Sequence, residues 1–198
     1  LLNTGGRFVP NFARAVWRGI EGNLNLDAAG VAYSRTGIDV DAQLRTTNKK
    51  IFAIGDVASS YQFTHMAGYH ADIVIRNALF RLPANVNYEA VPCVTFTDPE
   101  LAQVGMTEKQ SRERYGGDLR VLRWPYSEND RAQAEREIGG MIKVVTNRRG
   151  RVRGATIVGA HAGEIILPWV QAVGERKNIR KMAGLIAPYP TLSEVGKR

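Results

Sequence analysis

Near the end of this sequence a phenol and a carboxylate lie close together, Tyr189 and Glu194, in the run Pro188-Tyr189-Pro190-Thr191-Leu192-Ser193-Glu194. A phenol with an unperturbed pKa of about 10 stays protonated near neutrality. Tyr189 can therefore donate a hydrogen bond to a substrate atom, but it does not exchange protons as readily as an imidazole would. Far upstream, Ile51-Phe52-Ala53-Ile54-Gly55-Asp56-Val57 sets a glycine and an aspartate directly after four apolar residues. Open α/β sheets bind ligands at that place, outside the carboxyl ends of their strands. Gly55 lets a ligand approach the backbone, and Asp56 offers acceptors to sugar hydroxyls. Without further context the same run is a strand that ends in a Gly-Asp turn. Other reactive side chains are sparse. The histidines are His65, His70 and His161, of which only the first two are close in sequence, and they make no metal set. Cys93 is the only cysteine, so these residues hold no disulfide, CxxC redox pair or cysteine-rich zinc site. Cys93 follows Pro92 in an apolar stretch and reads as a buried small hydrophobe. His161, between Gly159 and Gly163, reads as a corner residue.

Several elements must position these groups. Residues 36–40 read as a short strand, 45–50 as a polar turn and 51–54 as a buried parallel strand. From Thr64 onward Ala67, Ala71, Val74, Ile75, Ala78 and Leu79 recur at helical spacing, with Thr64 as the expected N-cap. The Pro/Asn segment 82–87 is a seam, which puts a domain boundary near Ala90 and separates residues 1–90 from 91–198. Beyond it, 93–96 and 101–105 read as strands around an Asp98-Pro99 turn, and 107–115 as a polar helix. Strands follow at 119–124, 141–146 and 152–158, the last two flanking the turn Asn147-Arg148-Arg149-Gly150. A final helix carries Ala162, Ile165, Ile166, Trp169, Val170 and Val173 on one face, with a kink expected at Pro168. Strands grouped with helices to one side indicate an α+β domain.

Composition narrows the function classes. The chain has 198 residues and 44% hydrophobic content, enough for a buried core. No stretch reaches the roughly 18 uninterrupted apolar residues a membrane helix needs. The opening Leu1-Leu2-Asn3-Thr4-Gly5-Gly6 lacks an initiator Met and a signal-peptide pattern, and reads as a sequence entered in mid-domain. Use of a single cysteine favours a cytoplasmic setting. A surplus of 27 basic over 19 acidic residues gives +8, most of it in residues 91–198. The basic residues are interleaved with acids and lack aromatic spacing, which argues against a specific nucleic-acid site. A solvated basic face and a polyanion-attracting surface both remain readings of this charge.

Residues 44–57 together resemble the second FAD motif of the pyridine nucleotide-disulfide oxidoreductases, the family of dihydrolipoamide dehydrogenase, glutathione reductase and mercuric reductase. The run Val91-Pro92 with residues 94–105 resembles the opening of that family's dimerisation domain, and residues 139–164 its central strands and last major helix. Thr4-Gly5-Gly6-Arg7-Phe8-Val9-Pro10-Asn11 resembles a segment that returns the chain to the FAD domain, with two extra residues. The resemblance covers roughly residues 24–198. It implies an α/β FAD-domain remnant followed by an α+β dimerisation domain, an antiparallel sheet with helices on one side. It also implies that Gly55 and Asp56 meet the flavin, Asp56 at its ribitol chain, and that Gln62, Phe63 and Thr64 pass along the isoalloxazine. His65 is either a further flavin contact or a loop histidine.

In glutathione and dihydrolipoamide enzymes the segment matching 188–194 reads His-Pro-Thr-x-Ser-Glu, and its His reaches the partner subunit's flavin and disulfide. Tyr189 stands at that position, as in mercuric reductases, which makes Tyr189 and Glu194 the candidate catalytic residues. The complete protein is then expected to be a homodimer joined through residues 91–198. NAD(P)H would reduce FAD, and a cysteine pair outside this chain would pass the electrons to a disulfide or a thiophilic metal ion such as mercuric ion. The chain alone, lacking the first FAD motif and the cysteine pair, is expected neither to retain FAD nor to turn over. Alternatives are a dihydrolipoamide dehydrogenase-like or quinone-reducing enzyme, and a non-catalytic dimerisation module.

Overall fold

The computed structural model describes residues 24–197, so the segment around Thr4–Asn11 and Trp17 lies outside the described residues. The chain divides into two compact units between Asn87 and Tyr88.

In the first unit, β1 (Tyr33–Ser34) and β2 (Gly37–Ile38) form a minimal antiparallel hairpin, shorter than the strand expected over 36–40. Residues 51–54 are not a strand. Phe52 forms one isolated antiparallel bridge with Arg45, and the neighbouring amides bond locally, Thr46 N to Ile51 O at 3.0 Å and Ala53 N to Leu44 O at 3.1 Å. A ladder needs a strand alongside, and among the described residues none runs beside this segment. A single 3-10 turn, Gly55–Val57, follows.

Helix α1 spans Thr64–Ala78. Its N-cap is Phe63, in the extended conformation that position requires, so Thr64 is the first helical residue and caps nothing. The buried face of α1 is also not the expected one. Met66, His70, Ile73 and Asn77 point inward, at the four- and three-residue spacing of one helix face. The two polar members are satisfied there. Asn77 Nδ2 donates to Ala84 O at 2.7 Å while its Oδ1 accepts from Ala84 N at 3.0 Å. His70 Nδ1 accepts from the Gly55 amide at 3.0 Å. Ile73 packs with Leu44 and Ala84 in a small core. Two polar side chains on α1 thus fasten the segments on which the turn and the seam depend.

The second unit is built on a five-stranded antiparallel sheet. Its strands are β3 (Pro92–Thr95), β4 (Glu100–Gly105), β5 (Arg120–Pro125), β6 (Met141–Thr146) and β7 (Val152–Gly159), in the order β3-β4-β7-β6-β5. The register puts Ala102 opposite Ile157 and Ile157 opposite Ile142, with Val104, Ala155 and Val144 aligned one pleat away. One face is therefore a continuous apolar surface. Helices α2 (Glu108–Tyr115), α3 (Asp130–Glu135), α4 (Ala162–Ile165), α5 (Leu167–Gly174) and α6 (Ile179–Ala183) complete the unit. Ala162, Ile165, Ile166, Trp169, Ala172 and Val173 join the buried sheet residues in one core.

Three details depart from the sequence reading. The last major helix does not kink at Pro168 but breaks at Ile166, and Pro168 falls in the first turn of α5, where its missing N–H costs nothing. Cys93 is exposed, because on the edge strand β3 it alternates with the inward Pro92 and Val94. Helices α3 and α6 were not anticipated. By contrast Thr107 caps α2 through a full capping box with Gln110, and His161 turns the corner before α4 in the left-handed region.

Two substitutions test these supports. Gly159 ends β7 at φ 150°, and a Cβ there would lie 2.6 Å from the ring of Tyr126, a fully buried side chain. Gly159→Ala should destabilise the second unit by about 1–3 kcal/mol, read as a lower urea midpoint. In the first unit, burial holds the His70 imidazole below its ordinary value. The unfolded chain then binds this proton more readily than the folded one, so the histidine's contribution is complete above about pH 6.5 and declines as pH falls below it. His70→Asn, which keeps an acceptor and removes the titration, should flatten the loss of stability between about pH 7 and about pH 5. His70→Ala, which strands the Gly55 amide, should cost about 1–3 kcal/mol at neutral pH.

Candidate functional site

Gly55 adopts φ 70°, a conformation suited to glycine, and a Cβ there would lie 3.3 Å from the Cβ of Ala67 on α1. With the His70 bond on its amide, this glycine is fixed against the helix from two directions. Asp56 follows it on the 3-10 turn with its side chain exposed. The next residues, Ala58–Ser60, face residues 36–40 across a polar cavity of about 270 Å³.

Gln62, Phe63, Thr64 and His65 gather where the chain enters α1. The rings of Phe63 and His65 stack with centroids 5.0 Å apart and planes within 11°. The Gln62 side-chain oxygen is buried without a hydrogen-bond partner, an arrangement that costs about 1–3 kcal/mol until a donor arrives. No side chain caps the helix, so its 15-residue dipole presents partial positive charge at this entrance. Together these groups can hold a polar, partly anionic, flat ligand: exposed carboxylate oxygens for hydroxyls, a waiting acceptor for an N–H or O–H, and a helix end that favours negative charge.

The second cluster forms around Tyr189, which is 71% exposed. Its backbone is held from below. Thr191 Oγ1 donates to Pro188 O at 2.7 Å, and Asn129 Nδ2 donates to Thr191 O at 3.1 Å. The same Asn129 caps α3, its Oδ1 accepting from Ala132 N at 3.0 Å, and it is only 4% exposed. The carboxylate of Asp130, the first residue of α3, is the main cause that raises the pKa of the Tyr189 phenol. Slight burial and the Glu194 carboxylate push in the same direction. A raised pKa means a more tightly held proton, so Tyr189 is a hydrogen-bond donor throughout the neutral range. Glu194 sits half-buried on the 3-10 turn Leu192–Gly196.

Tyr189 and Glu194 are thus brought near each other in the second unit, and Gly55, Asp56, Gln62, Phe63, Thr64 and His65 gather in the first. The sequence reading missed His70, Asn129 and Asp130. Asn129 and Asp130 carried a visible signal, an Asn followed by an acid at the start of a polar helix, but the bond to Thr191 joins residues far apart in the chain. Among the described residues no group of three or more His, Cys, Asp or Glu side chains could hold a metal ion, and no helix is long and apolar enough to cross a membrane.

Residues 91–198 match the family described as pyridine nucleotide-disulphide oxidoreductase, dimerisation domain, and residues 12–71 match pyridine nucleotide-disulphide oxidoreductase. The latter match begins before the region of resemblance noted above. The chain is similar to mercuric reductase of Bacillus cereus, 38% identical over 177 residues that make up 88% of this chain and 28% of that protein. It is also similar to dihydrolipoyl dehydrogenase of Synechocystis sp., 33% identical over 183 residues, 87% of this chain and 38% of that protein. It therefore spans about a third of the curated relatives it matches. Among solved structures it resembles the HOCl-induced flavoprotein disulfide reductase RclA from Escherichia coli, with a TM-score of 0.80 and 29% identity over 87% of this chain and 40% of that one. LpdA from Mycobacterium tuberculosis gives a TM-score of 0.81 and 28% identity over 88% of this chain and 38% of that one. An antiparallel sheet with its helices in residues 91–198, preceded by the Gly-Asp turn and its helix, is accordingly what the sequence belongs to: this chain is a member of the pyridine nucleotide-disulphide oxidoreductase family, carrying its dimerisation domain.

Proposed function

We propose that this chain supplies half of a composite active site, a carboxylate for its own flavin and a phenol for its partner's, in a homodimeric, FAD- and NAD(P)H-dependent oxidoreductase, with a thiophilic metal ion such as mercuric ion as the favoured substrate class. The flavin supplies two-electron transfer between the nicotinamide and a cysteine pair lying outside these residues. The first unit fits that cofactor by its own chemistry. Asp56 accepts from ribitol hydroxyls, the orphaned Gln62 oxygen takes a donor from the ring, and the uncapped end of α1 favours the negative charge that accumulates on reduction.

Tyr189 is the observation that carries the substrate reading. A dithiol substrate needs a group that exchanges protons near neutrality, and a phenol whose proton is held more tightly by Asp130 does not serve. It does serve as a fixed donor beside a thiolate or a metal-bound ligand. Glu194, with no imidazole to orient, adds negative charge behind the phenol. Dimerisation through residues 91–198 is supported by the large apolar side chains the second unit leaves exposed, among them Ile186 at 98%, Phe96 at 81% and Leu167 at 69%. A cytoplasmic setting, which keeps thiol pairs reduced, suits this chemistry. The dihydrolipoyl dehydrogenase-like alternative rests on relatives of comparable identity.

In the complete protein, NAD(P)H oxidation should be driven by mercuric ion well above lipoamide or quinone, and Tyr189→Phe should lower kcat/KM for mercuric ion by about tenfold or more. Efficient lipoamide turnover untouched by Tyr189→Phe would refute the assignment. The chain by itself should sediment as a dimer and purify without stoichiometric yellow flavin; a monomer contradicts the first expectation and full occupancy the second.

A further inference from the structure

The surplus positive charge of the second unit has no part in the cluster at Tyr189, yet it is not spread evenly. Arg114, Arg151, Arg153 and Arg176 line one cavity of about 260 Å³ together with Tyr115 and Glu89. Glu89 is the only acid in this lining, and Arg176 Nη2 donates to both of its oxygens at 3.2 Å. Arg114, Arg151 and Arg153 line the same opening.

Arg153 is the most constrained of them. The ladder between β6 and β7 pairs Val145 with Gly154 and then Thr146 with Val152, so Arg153 is the extra residue of a bulge. Bulges re-aim a side chain and occur beside functional sites. Its carbonyl is fixed by the Met106 amide at 3.0 Å. Its guanidinium carbon lies 3.9 Å from the centroid of the Tyr115 ring, which also receives Arg114 at 5.5 Å. This contact holds the guanidinium over the ring. Its Nε is buried with no hydrogen-bond partner in the protein. A buried, unsatisfied, positively charged donor on a rigid support is expensive unless an acceptor comes to it. The planar fork of Arg matches the paired oxygens of an oxyanion.

We propose that this pocket binds one phosphate group per chain, held by Arg153 in bidentate fashion with Arg114 and Arg151 closing on the remaining oxygens. The phosphate can come from the free ion or from a small phosphomonoester, and the pocket shares no residue with the Tyr189 cluster, so the proposal stands or falls apart from the substrate assignment.

Calorimetric titration of the full chain at fixed ionic strength, with inorganic phosphate in one arm and glycerol 2-phosphate in the other, tests it. Saturable binding at one site per chain is expected in at least one arm, and the tighter arm identifies the source. Arg153→Ala and the exposed Arg114→Ala should each weaken binding about tenfold or more. Arg153→Lys, which keeps the charge but loses the fork, should fall between wild type and Arg153→Ala. Arg148→Ala, outside the pocket, should change nothing. Non-saturating heats in both arms, or equal affinity in wild type and Arg114→Ala, would overturn the site and leave only a general basic surface.

Discussion

Asn129 is the joint on which the second cluster depends. Its side chain is buried and used at both ends, the oxygen closing the first turn of α3 and the amide nitrogen holding the carbonyl of Thr191. Leu192 and Val195, just beyond Tyr189, pack into the core, and Asn129 adds the polar tie that joins this segment to α3. With it, the phenol is referred to the sheet through a short helix, and Asp130 is delivered to the phenol by the same turn. One buried polar side chain thus fixes both the place of the hydroxyl and the electrostatics that keep its proton on. A buried amide with both ends satisfied costs little and specifies much.

The first unit repeats this principle with different residues. His70 and Asn77 occupy positions on α1 where an apolar side chain would pack as well, but each ties a loop that has no ladder of its own. The Gly55 amide is bound to the helix, and a side chain at Gly55 would be strained by its positive φ and crowd Ala67, so the turn carrying Asp56 is held where a strand would otherwise hold it. Two buried side-chain atoms of this unit stay without a hydrogen-bond partner among the described residues, Arg45 Nε and the Gln62 oxygen at the entrance of the helix. Of these two, the Gln62 oxygen is the acceptor the flavin reading calls for.

Much of this was legible in the sequence where burial imposes a period. The strand over Met141–Thr146 and the turn around Gly150 follow from apolar runs and a glycine at φ 84°, and Thr107 announces α2 by its capping box. Legibility fails where a partner distant in sequence decides the outcome. His70 and Asn77 are not among the residues that recur at helical spacing from Thr64, and their bonds to the backbone of Gly55 and Ala84 explain their burial. Residues 51–54 have the composition of a buried strand but, among the described residues, no strand alongside. The six residues of α3 are too few and too polar to show a period, although Asn129 marks their start. At the candidate site, Asp56 and Tyr189 are singled out by the family resemblance, whereas the influence of Asp130 on the phenol shows only in the fold.

The proposed role of Tyr189 is to serve the flavin and thiols of the other subunit. Hybrid dimers of the complete protein test it most directly, formed from one subunit carrying Tyr189→Phe and one whose redox cysteine pair is replaced by serine. Each parent homodimer should be severely impaired, and the hybrid should recover about half of wild-type activity, because one of its two sites combines intact thiols with an intact phenol from across the two-fold axis. A hybrid no more active than its parents would mean that the phenol acts within its own subunit or not at all, and would contradict the account.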